Sequence, residues 1–178
     1  MRKCFLSCDW GTSSFRLRLV DSDGFRVIAE SYSEEGVTTV YQQWQQQAKP
    51  ETERLHFYKA VLKKHISKLE QQLQTSLDAI PIVISGMASS TIGMVELPYT
   101  PLPFHTDGSD LYVSNVKSTA DFKHDMVIIS GARTASDVMR GEEVQVIGYT
   151  EAFHELQLVI IPGTHSKHIV VQDNKVVD

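Results

Sequence analysis

Short stretches of alternating or continuous apolar residues indicate β-structure at the start of the chain. They cover residues 3–8 and 15–20, and Asp-Ser-Asp-Gly at residues 21–24 separates the second from a third at residues 25–29. A period of two is typical of half-buried strands, and Asp and Gly favour the turns between them. The pattern predicts a three-stranded antiparallel meander.

A long helix is predicted at residues 52–73. Apolar side chains recur there at steps of three and four residues, so one face can pack on a sheet while the charged face stays in water. The apolar positions are Leu55, Tyr58, Leu62, Ile66, Leu69 and Leu73. The glutamine-rich residues 41–48 are compatible with a loop or an irregular helix, and Pro50 separates them from the long helix.

Two β-branched runs, at residues 82–84 and 126–129, are each followed by Ser-Gly. Such runs are typical of strands buried on both faces, which join a sheet in parallel. The carboxyl ends of these strands are where α/β proteins place ligands. Residues 97–108 contain three prolines and are predicted to form an extended loop. We therefore expect an α/β fold with a mixed sheet, an antiparallel opening meander and flanking helices.

The end of the chain repeats the alternation of elements. A second helix is predicted at about residues 140–151, followed by strands at residues 158–161 and 169–171 around the sequence Pro-Gly-Thr-His-Ser-Lys. A turn at residues 173–175 leads into the apolar pair at residues 176–177.

Composition narrows the classes of partner. The 178 residues include 22 acidic and 17 basic side chains, and no Lys/Arg block resembles a nucleic-acid site or a polybasic membrane patch. No apolar run reaches the roughly 18 residues that cross a bilayer. We expect a cytoplasmic protein that binds neither nucleic acid nor membrane. Cys4 and Cys8 would lie about 13 Å apart on one strand, too far for a disulfide, and are expected to be buried thiols.

Two stretches of the chain resemble each other. "DWGTSSFRLRLVD" at residues 9–21 aligns with "IPGTHSKHIVVQD" at residues 161–173, and both predict strand, Gly-Thr turn, strand and acidic turn. Backbone N–H groups and hydroxyls converge at such a turn and form a concave anion site. A single Gly-Thr hairpin is more often purely structural. A matched pair indicates an internal duplication, and two such loops can hold one phosphate chain from both sides.

Acidic residues accompany these loops. Asp9 ends the first strand, where its carboxylate could hold Mg²⁺ through water or could cap the turn. Glu142 and Glu143 open the second predicted helix, where the helix dipole favours a carboxylate and a cleft-facing one can act as a base. For Glu143 we expect ordinary first-turn acidity.

"DWGTSS" resembles the first phosphate loop of the superfamily of sugar kinases, actin and heat-shock-chaperone ATPases. Together with "ISGMASSTIG", "MRGEEVQVIG" and "IPGTHSKHIVV" in this order, it resembles the 2-dehydro-3-deoxygalactonokinases over about residues 5–178, more weakly at residues 41–48 and 106–124. The resemblance implies ATP-dependent phosphorylation of the terminal hydroxyl of 2-dehydro-3-deoxy-D-galactonate. It also implies a cleft between two ribonuclease-H-like lobes of the actin-like ATPase fold.

The resemblance implies roles for particular residues. Asp9 would organise Mg²⁺ and Glu142 would accept the proton of the substrate hydroxyl, with Asp137 and Glu143 as rivals because the alignment needs a one-residue shift. The residues near the ATP phosphates would be Gly11, Thr12, Ser13, Gly163, Thr164, His165 and Lys167.

The sugar acid itself is expected at Ser89, Ser90 and Arg140, on physical grounds. The guanidinium of Arg140 can hold a carboxylate through two parallel hydrogen bonds, although a salt bridge to a neighbouring acid is an equal alternative.

Residues 1–153 are expected to form a first lobe and residues 154–178 the opening hairpin of a second, which in the family continues for about one more domain and holds adenosine. A chain of this length is expected to bind nucleotide weakly. The strands at Ile160 and Ile169 would expose apolar edges, so the hairpin is expected to pack back on the first lobe, to swap between chains or to bind a partner. Two further hypotheses are a lobe that binds the sugar acid without phosphorylating it, and another phosphotransferase or phosphohydrolase of the superfamily.

Overall fold

A computed structural model of the chain describes residues 4–149, 155–163 and 166–178. In this part of the chain the strands and helices are, in order, β1 Cys4–Trp10, β2 Phe15–Asp21, β3 Arg26–Ser33, α1 Val37–Gln46, α2 Arg54–Leu73, β4 Ile82–Gly86, β5 Thr100–Pro101, β6 Phe104–His105, β7 Val113–Val116, β8 Met126–Ile129, β9 Ala132–Arg133, β10 Val138–Met139, α3 Glu142–Ile147, β11 Gln157–Ile161, β12 Lys167–Gln172 and β13 Lys175–Val176.

The main sheet is mixed and has the strand order β3-β2-β1-β4-β8-β7. Antiparallel pairing of β1 with β2 and of β2 with β3 confirms the predicted meander. The two runs that precede Ser-Gly are β4 and β8, and they extend the sheet in parallel from β1, as predicted. Strand β7, which the apolar pattern did not indicate, pairs antiparallel with β8.

The long predicted helix is α2, and it buries the predicted face. Tyr58, Leu62 and Leu69 are fully buried in one core with Trp10 and Phe15. The rings of Trp10 and Phe15 lie 4.8 Å apart, edge to face, an arrangement that adds to the stabilisation from apolar burial. Because these two residues flank the turn between β1 and β2, the core fixes the ends of that turn.

The glutamine-rich segment, for which loop and helix both remained possible, belongs to α1. Its apolar residues Val37, Val40 and Trp44 recur at helical spacing and are buried, so they hold the helix on the core despite its polar exposed face. The glutamine-rich stretch begins at residue 41, so Val37 and Val40 lie before it and were not considered with it.

Two other predicted segments differ from the structure. Residues 97–108 are not wholly a loop, because the short strands β5 and β6 lie within them. Helix α3 ends at Ile147, where Gly148 follows it, and the predicted end at residue 151 lies outside the described residues.

The last strands form a second sheet of order β11-β12-β13-β6. Because β13 pairs with β6, the hairpin packs back on an earlier part of the chain, which is one of the three expected outcomes. The expected exposure of Ile169 is wrong: this side chain is buried in a small core with Phe104 and Val176. On the edge strand β11, Leu158 and Ile160 are each 59% exposed, as expected for Ile160.

Both cysteines are free thiols, and the predicted burial is confirmed for Cys8 but not for Cys4. Cys8 is buried and Cys4 is half-buried, and burial raises the pKa of the Cys8 thiol well above its usual value. Among the described residues, no helix combines the length and the apolar character that crossing a bilayer requires.

Candidate functional site

The turn between β1 and β2 is oriented by the first turn of α1. The N–H groups of Val37 and Thr38 donate hydrogen bonds to the carbonyl oxygens of Gly11 (2.9 Å) and Thr12 (3.2 Å). In a trans peptide the C=O and the following N–H point in opposite directions. The N–H groups of Thr12 and Ser13 therefore face away from α1, on the side where a ligand can approach.

Gly36, just before α1, makes this arrangement possible. A Cβ atom at Gly36 would lie 2.3 Å from the carbonyl oxygen of Thr12 and 2.4 Å from the Cα of Ser13. The turn is closed by a hydrogen bond from the N–H of Gly11 to the carbonyl oxygen of Ser14 (2.9 Å). Gly36 was missed from the sequence, because only the folded chain shows the backbone that approaches it.

Two glycines bring α3 to the same end of the sheet. Gly86, at the end of β4, has a φ of 85°, and a Cβ there would lie 2.7 Å from the carbonyl oxygen of Trp10. Gly141, with a φ of 110°, would place a Cβ 3.4 Å from the Cα of Gly86. Positive φ values of this kind favour glycine. Glu142, the first residue of α3, thus starts beside the carboxyl ends of β1 and β4.

A cavity of about 550 Å³ opens where these elements meet. Among the predicted site residues, its wall contains Gly11, Thr12, Arg140, Glu142, Gly163 and Lys167. The structure therefore brings residues of both Gly-Thr segments to one cavity. Asp9, Ser13, Ser89 and Ser90 are not part of this wall, and the predicted residues Thr164 and His165 lie outside the described residues.

Asp9 lies at the end of β1, immediately before the turn. Its side chain is 55% exposed and forms an ion pair with Arg16 at 3.7 Å. Among the described residues, no group of three or more His, Cys, Asp or Glu side chains could hold a metal by itself. Mg²⁺ is usually bound by one or two carboxylates together with substrate phosphates. A single accessible carboxylate beside a donor-rich turn fits that requirement.

The adjacent carboxylates Glu142 and Glu143 have opposite environments. Glu143 is fully buried, and both of its carboxylate oxygens accept from the N–H of Gly141 (2.9 and 2.8 Å). Burial raises the pKa of Glu143 to about 7, against the lowering effect of the backbone hydrogen bonds. Glu142 is half-buried in the cavity wall, and its Oε2 accepts from the N–H of Arg140 (2.8 Å).

Asp137 and Lys167 form an ion pair on another part of the wall. Nζ of Lys167 lies 2.6 Å from Oδ2 of Asp137, and the lysine side chain is only 15% exposed. Asp137 thus holds the Lys167 ammonium at the cavity, and the same contact keeps the Asp137 carboxylate bound to a cation.

Arg140 is fixed by contacts on two sides. Its Nη1 donates to the carbonyl oxygen (2.6 Å) and to Oγ (2.7 Å) of Ser89, and its Cζ lies 4.1 Å from the ring centroid of Tyr99. Ser89 is fully buried behind it. Ser90, also buried, donates from Oγ to the carbonyl oxygen of Met87 (2.7 Å) and lines a smaller neighbouring cavity. Tyr99 was not predicted, since the prolines around it indicated only a loop.

The sheet and the site together define an α/β protein with a cavity at the carboxyl ends of parallel strands, between two glycine-containing segments, which is where such folds place ligands. A sequence model described as 2-keto-3-deoxy-galactonokinase matches residues 9–178. The chain belongs to this family, and the family resemblance seen in its motifs is confirmed.

Individual relatives agree with this assignment. The probable 2-dehydro-3-deoxygalactonokinase of Rhizobium meliloti (strain 1021) is 32% identical over 179 residues, which cover 97% of this chain and 51% of that protein. The 2-dehydro-3-deoxygalactonokinase of Escherichia coli (strain K12) is 28% identical over 180 residues, with coverages of 98% and 51%. The chain thus spans about half the length of the curated relatives it matches, and this is their amino-terminal half.

Solved structures resemble the same region. A crystal structure of a Sinorhizobium meliloti protein described as a 2-dehydro-3-deoxygalactonokinase has a TM-score of 0.75 at 28% identity, covering 98% of this chain and 51% of that one. A reductive activator for a corrinoid, iron-sulfur protein has a TM-score of 0.58 at 20% identity, covering 96% of this chain and 29% of that one, which indicates a shared fold alone.

Proposed function

We propose that this chain is the amino-terminal part of a kinase that transfers the γ-phosphoryl group of MgATP to the terminal hydroxyl of 2-dehydro-3-deoxy-D-galactonate. The observation that carries the proposal is the 550 Å³ cavity, whose wall combines Gly11 and Gly163 of the two repeated segments with Glu142 and Lys167. Phosphoryl transfer depends mainly on positioning and charge neutralisation, and these residues supply backbone donors, a base and a cation.

The first phosphate loop in this proposal consists of Gly11, Thr12 and Ser13. Its support is the orientation of the turn, in which α1 occupies the carbonyl oxygens and leaves the N–H groups of Thr12 and Ser13 for an anion. Such converging N–H groups form anion-binding concavities. Asp9 would hold Mg²⁺, which when bound neutralises charge on the phosphates during transfer.

The second phosphate loop would comprise Gly163, Thr164 and Lys167. Support comes from Gly163 and Lys167, which line the same cavity as the first loop. The ion pair with Asp137 keeps the Lys167 ammonium at the wall, where it can neutralise a phosphate oxygen.

Glu142 is proposed as the general base. It accepts the proton of the substrate hydroxyl as the oxygen of that hydroxyl forms its bond to phosphorus. Its two rivals are less suited, because Glu143 is fully buried on the N–H of Gly141 and Asp137 is bound to the ammonium of Lys167.

Arg140 and Ser90 remain proposed contacts of the sugar acid. Arg140 lines both the large cavity and the smaller one that Ser90 lines, so a substrate that spans the two would touch it. Ser89 acts through Arg140 in this proposal, because its hydrogen bonds to Nη1 fix the guanidinium.

The fold of the proposed kinase is the ribonuclease-H-like lobe of actin-like ATPases, with a first lobe at residues 1–153 and the start of a second at residues 154–178. Support comes from the order of the main sheet, in which an antiparallel meander is extended by parallel strands. The adenosine pocket would lie in the part of the relatives that this chain does not cover. The protein would work in the cytoplasm as a soluble enzyme.

The test is phosphorylation of the sugar acid with MgATP by this chain together with the carboxyl-terminal half found in its relatives, with the product identified by phosphorus NMR. Glu142→Gln is expected to lower kcat by about 10²- to 10⁴-fold, the usual contribution of a general base, with an unchanged melting temperature. Glu143→Gln makes the same chemical change one residue away and should retain most of the activity. Loss of activity in Glu143→Gln alone would reverse the assignment of the base. Calorimetric binding of the sugar acid without any turnover, or phosphate release without an acceptor, would refute the kinase proposal.

A further inference from the structure

A second cavity lies directly beside the first. It has a volume of about 340 Å³, and it shares Met87, Tyr99 and Arg140 with the wall of the larger one. The stacked pair of Arg140 and Tyr99 therefore forms the partition between the two cavities. The polar side chains that line the smaller cavity and not the larger one are Ser90, Thr91, Glu96 and Arg133. Arg133 also lines a separate cavity of about 330 Å³, together with Asp137 and Lys167.

The guanidinium of Arg140 is not available as a complete fork. Both hydrogen bonds of its Nη1 go to Ser89, and Nε is buried without a hydrogen-bond partner among the described residues. Two parallel hydrogen bonds to a carboxylate require two adjacent N–H groups on one edge of the guanidinium. Ser89 engages Nη1 and burial closes off Nε, so neither edge of the Arg140 guanidinium presents two accessible N–H groups.

Arg133 supplies a second guanidinium at the smaller cavity. Its backbone is fixed in the sheet that β9 forms with β5 and β10, where it pairs with Pro101 and Val138 and accepts a hydrogen bond from the N–H of Leu102 (2.9 Å). Its side chain is exposed and lines the smaller cavity. Within residues 4–149, 155–163 and 166–178, no ion pair engages its guanidinium.

We propose that the smaller cavity is the carboxylate subsite for the sugar acid and that Arg133 holds the carboxylate through two parallel hydrogen bonds. This inference rests on the proposed kinase function. The acceptor hydroxyl then reaches Glu142 in the larger cavity, and the carbon chain passes the partition formed by Arg140 and Tyr99. Arg140 is a positioning residue that separates the two ends of the substrate.

The remaining polar residues define what else the subsite admits. The hydroxyl hydrogen of Ser90 is donated to Met87, so its oxygen can accept from a substrate hydroxyl. Glu96 adds a negative charge to the same cavity and would repel a second anionic group. The subsite therefore fits a monocarboxylate that carries hydroxyl groups, and it disfavours a dicarboxylate.

The experiment compares the sugar acid with its C1 carboxamide, which has the same shape and no charge. Steady-state kinetics with saturating MgATP, on this chain together with the carboxyl-terminal half found in its relatives, give kcat/KM for both substrates with the wild-type protein, Arg133→Ala and Arg133→Lys. Arg26→Ala is the matched control, since Arg26 lies on β3, is 77% exposed at its side chain and pairs with Asp21. If Arg133 had a purely structural role, its substitution would lower kcat/KM for both substrates together. If it binds the carboxylate, the substitution lowers kcat/KM for the acid only.

We expect Arg133→Ala to raise KM for the acid about ten- to hundredfold, the range for a hydrogen-bonded charge pair, with kcat within a few-fold of wild type. The preference for the acid over the carboxamide should fall by a similar factor. Arg133→Lys keeps the charge and loses the pair of parallel hydrogen bonds, so its KM for the acid should lie between those of wild type and Arg133→Ala. It serves as the test variant if Arg133→Ala does not fold. An unchanged preference in the folded Arg133 variants overturns the inference. Failure of the wild-type protein to phosphorylate the acid overturns the proposed function first, and the inference with it.

Discussion

The buried carboxyl group of Glu143 should make the stability of this protein fall as the pH rises. The folded pKa is about 7, against an ordinary value of 4.5, because burial disfavours the charged form. A group whose pKa is raised by folding binds more protons in the folded state, so its contribution is complete below pH 4.5 and is lost as the pH rises through 7. The perturbation that tests this is Glu143→Gln, which removes the titration.

The magnitude follows from the size of the pKa difference. A rise from 4.5 to about 7 corresponds, at about 1.36 kcal/mol for each unit, to about 3 kcal/mol. Most of this loss of stability occurs between pH 5 and pH 8. The buried amide of the glutamine carries its own cost, but that cost does not depend on pH. The free energy of unfolding of Glu143→Gln relative to wild type should therefore improve by about 2 to 3 kcal/mol from pH 5 to pH 8.

The assay is urea unfolding at several pH values, analysed by linear extrapolation. Glu34→Gln is the matched control, since Glu34 is exposed and the substitution makes the same chemical change at the surface. Titration of other groups is common to wild type and variant and cancels in the difference. A difference between Glu143→Gln and wild type that stays constant from pH 5 to pH 8 would refute the reasoning.

Two other substitutions test the packing against the first loop and the titration of a buried histidine. Gly36→Ala should lower the melting temperature by roughly 2–12 °C, because overpacking costs about 1–3 kcal/mol. Gly24→Ala should change it little, because the added Cβ would lie 3.8 Å from Nε of Arg26, the nearest atom outside the adjacent residues. Equal shifts of the two variants in calorimetric scans would contradict this. His65, buried between Ser31 and Ser33, has a pKa lowered by burial and then by Lys68, so stability should be lost as the pH falls below about 6.5. His65→Gln should flatten that loss in urea titrations between pH 5 and pH 7, and an unchanged slope would argue against it.

The sequence predicted the main strands because their signal is local. Alternation and β-branched runs identify β1, β2, β4 and β8, and parallel addition to a meander leaves few possible strand orders. Helix α1 was harder, since its buried residues Val37, Val40 and Trp44 are diluted by glutamines. Strand β7 carries half-exposed and exposed side chains, so no buried face is visible in its sequence.

Within the site, the sequence distinguished residue types and not their directions. Glu142 and Glu143 are neighbours of the same type in the first turn of one helix, and about 100° of rotation for each residue turns one to the cavity and the other into the core. From the sequence, Arg140 was likewise expected to bind the substrate carboxylate, because a guanidinium can form two parallel hydrogen bonds to it. Only the folded chain shows that Ser89 already engages it and that Arg133 lines the same smaller cavity.

The first loop and the proposed base depend on one set of backbone contacts. The carbonyl oxygen of Trp10 lies against Gly86, and Gly141 lies against Gly86 in turn, so β1, β4 and the start of α3 meet without intervening side chains. Side chains hop between rotamers, whereas backbone in van der Waals contact moves only if whole elements move. The distance between the N–H groups of the loop and the backbone of Glu142 is therefore set by the sheet itself. This gives a physical reason for glycine at both positions: an added Cβ at Gly86 would press on the carbonyl oxygen of Trp10, and the φ of 110° at Gly141 favours glycine.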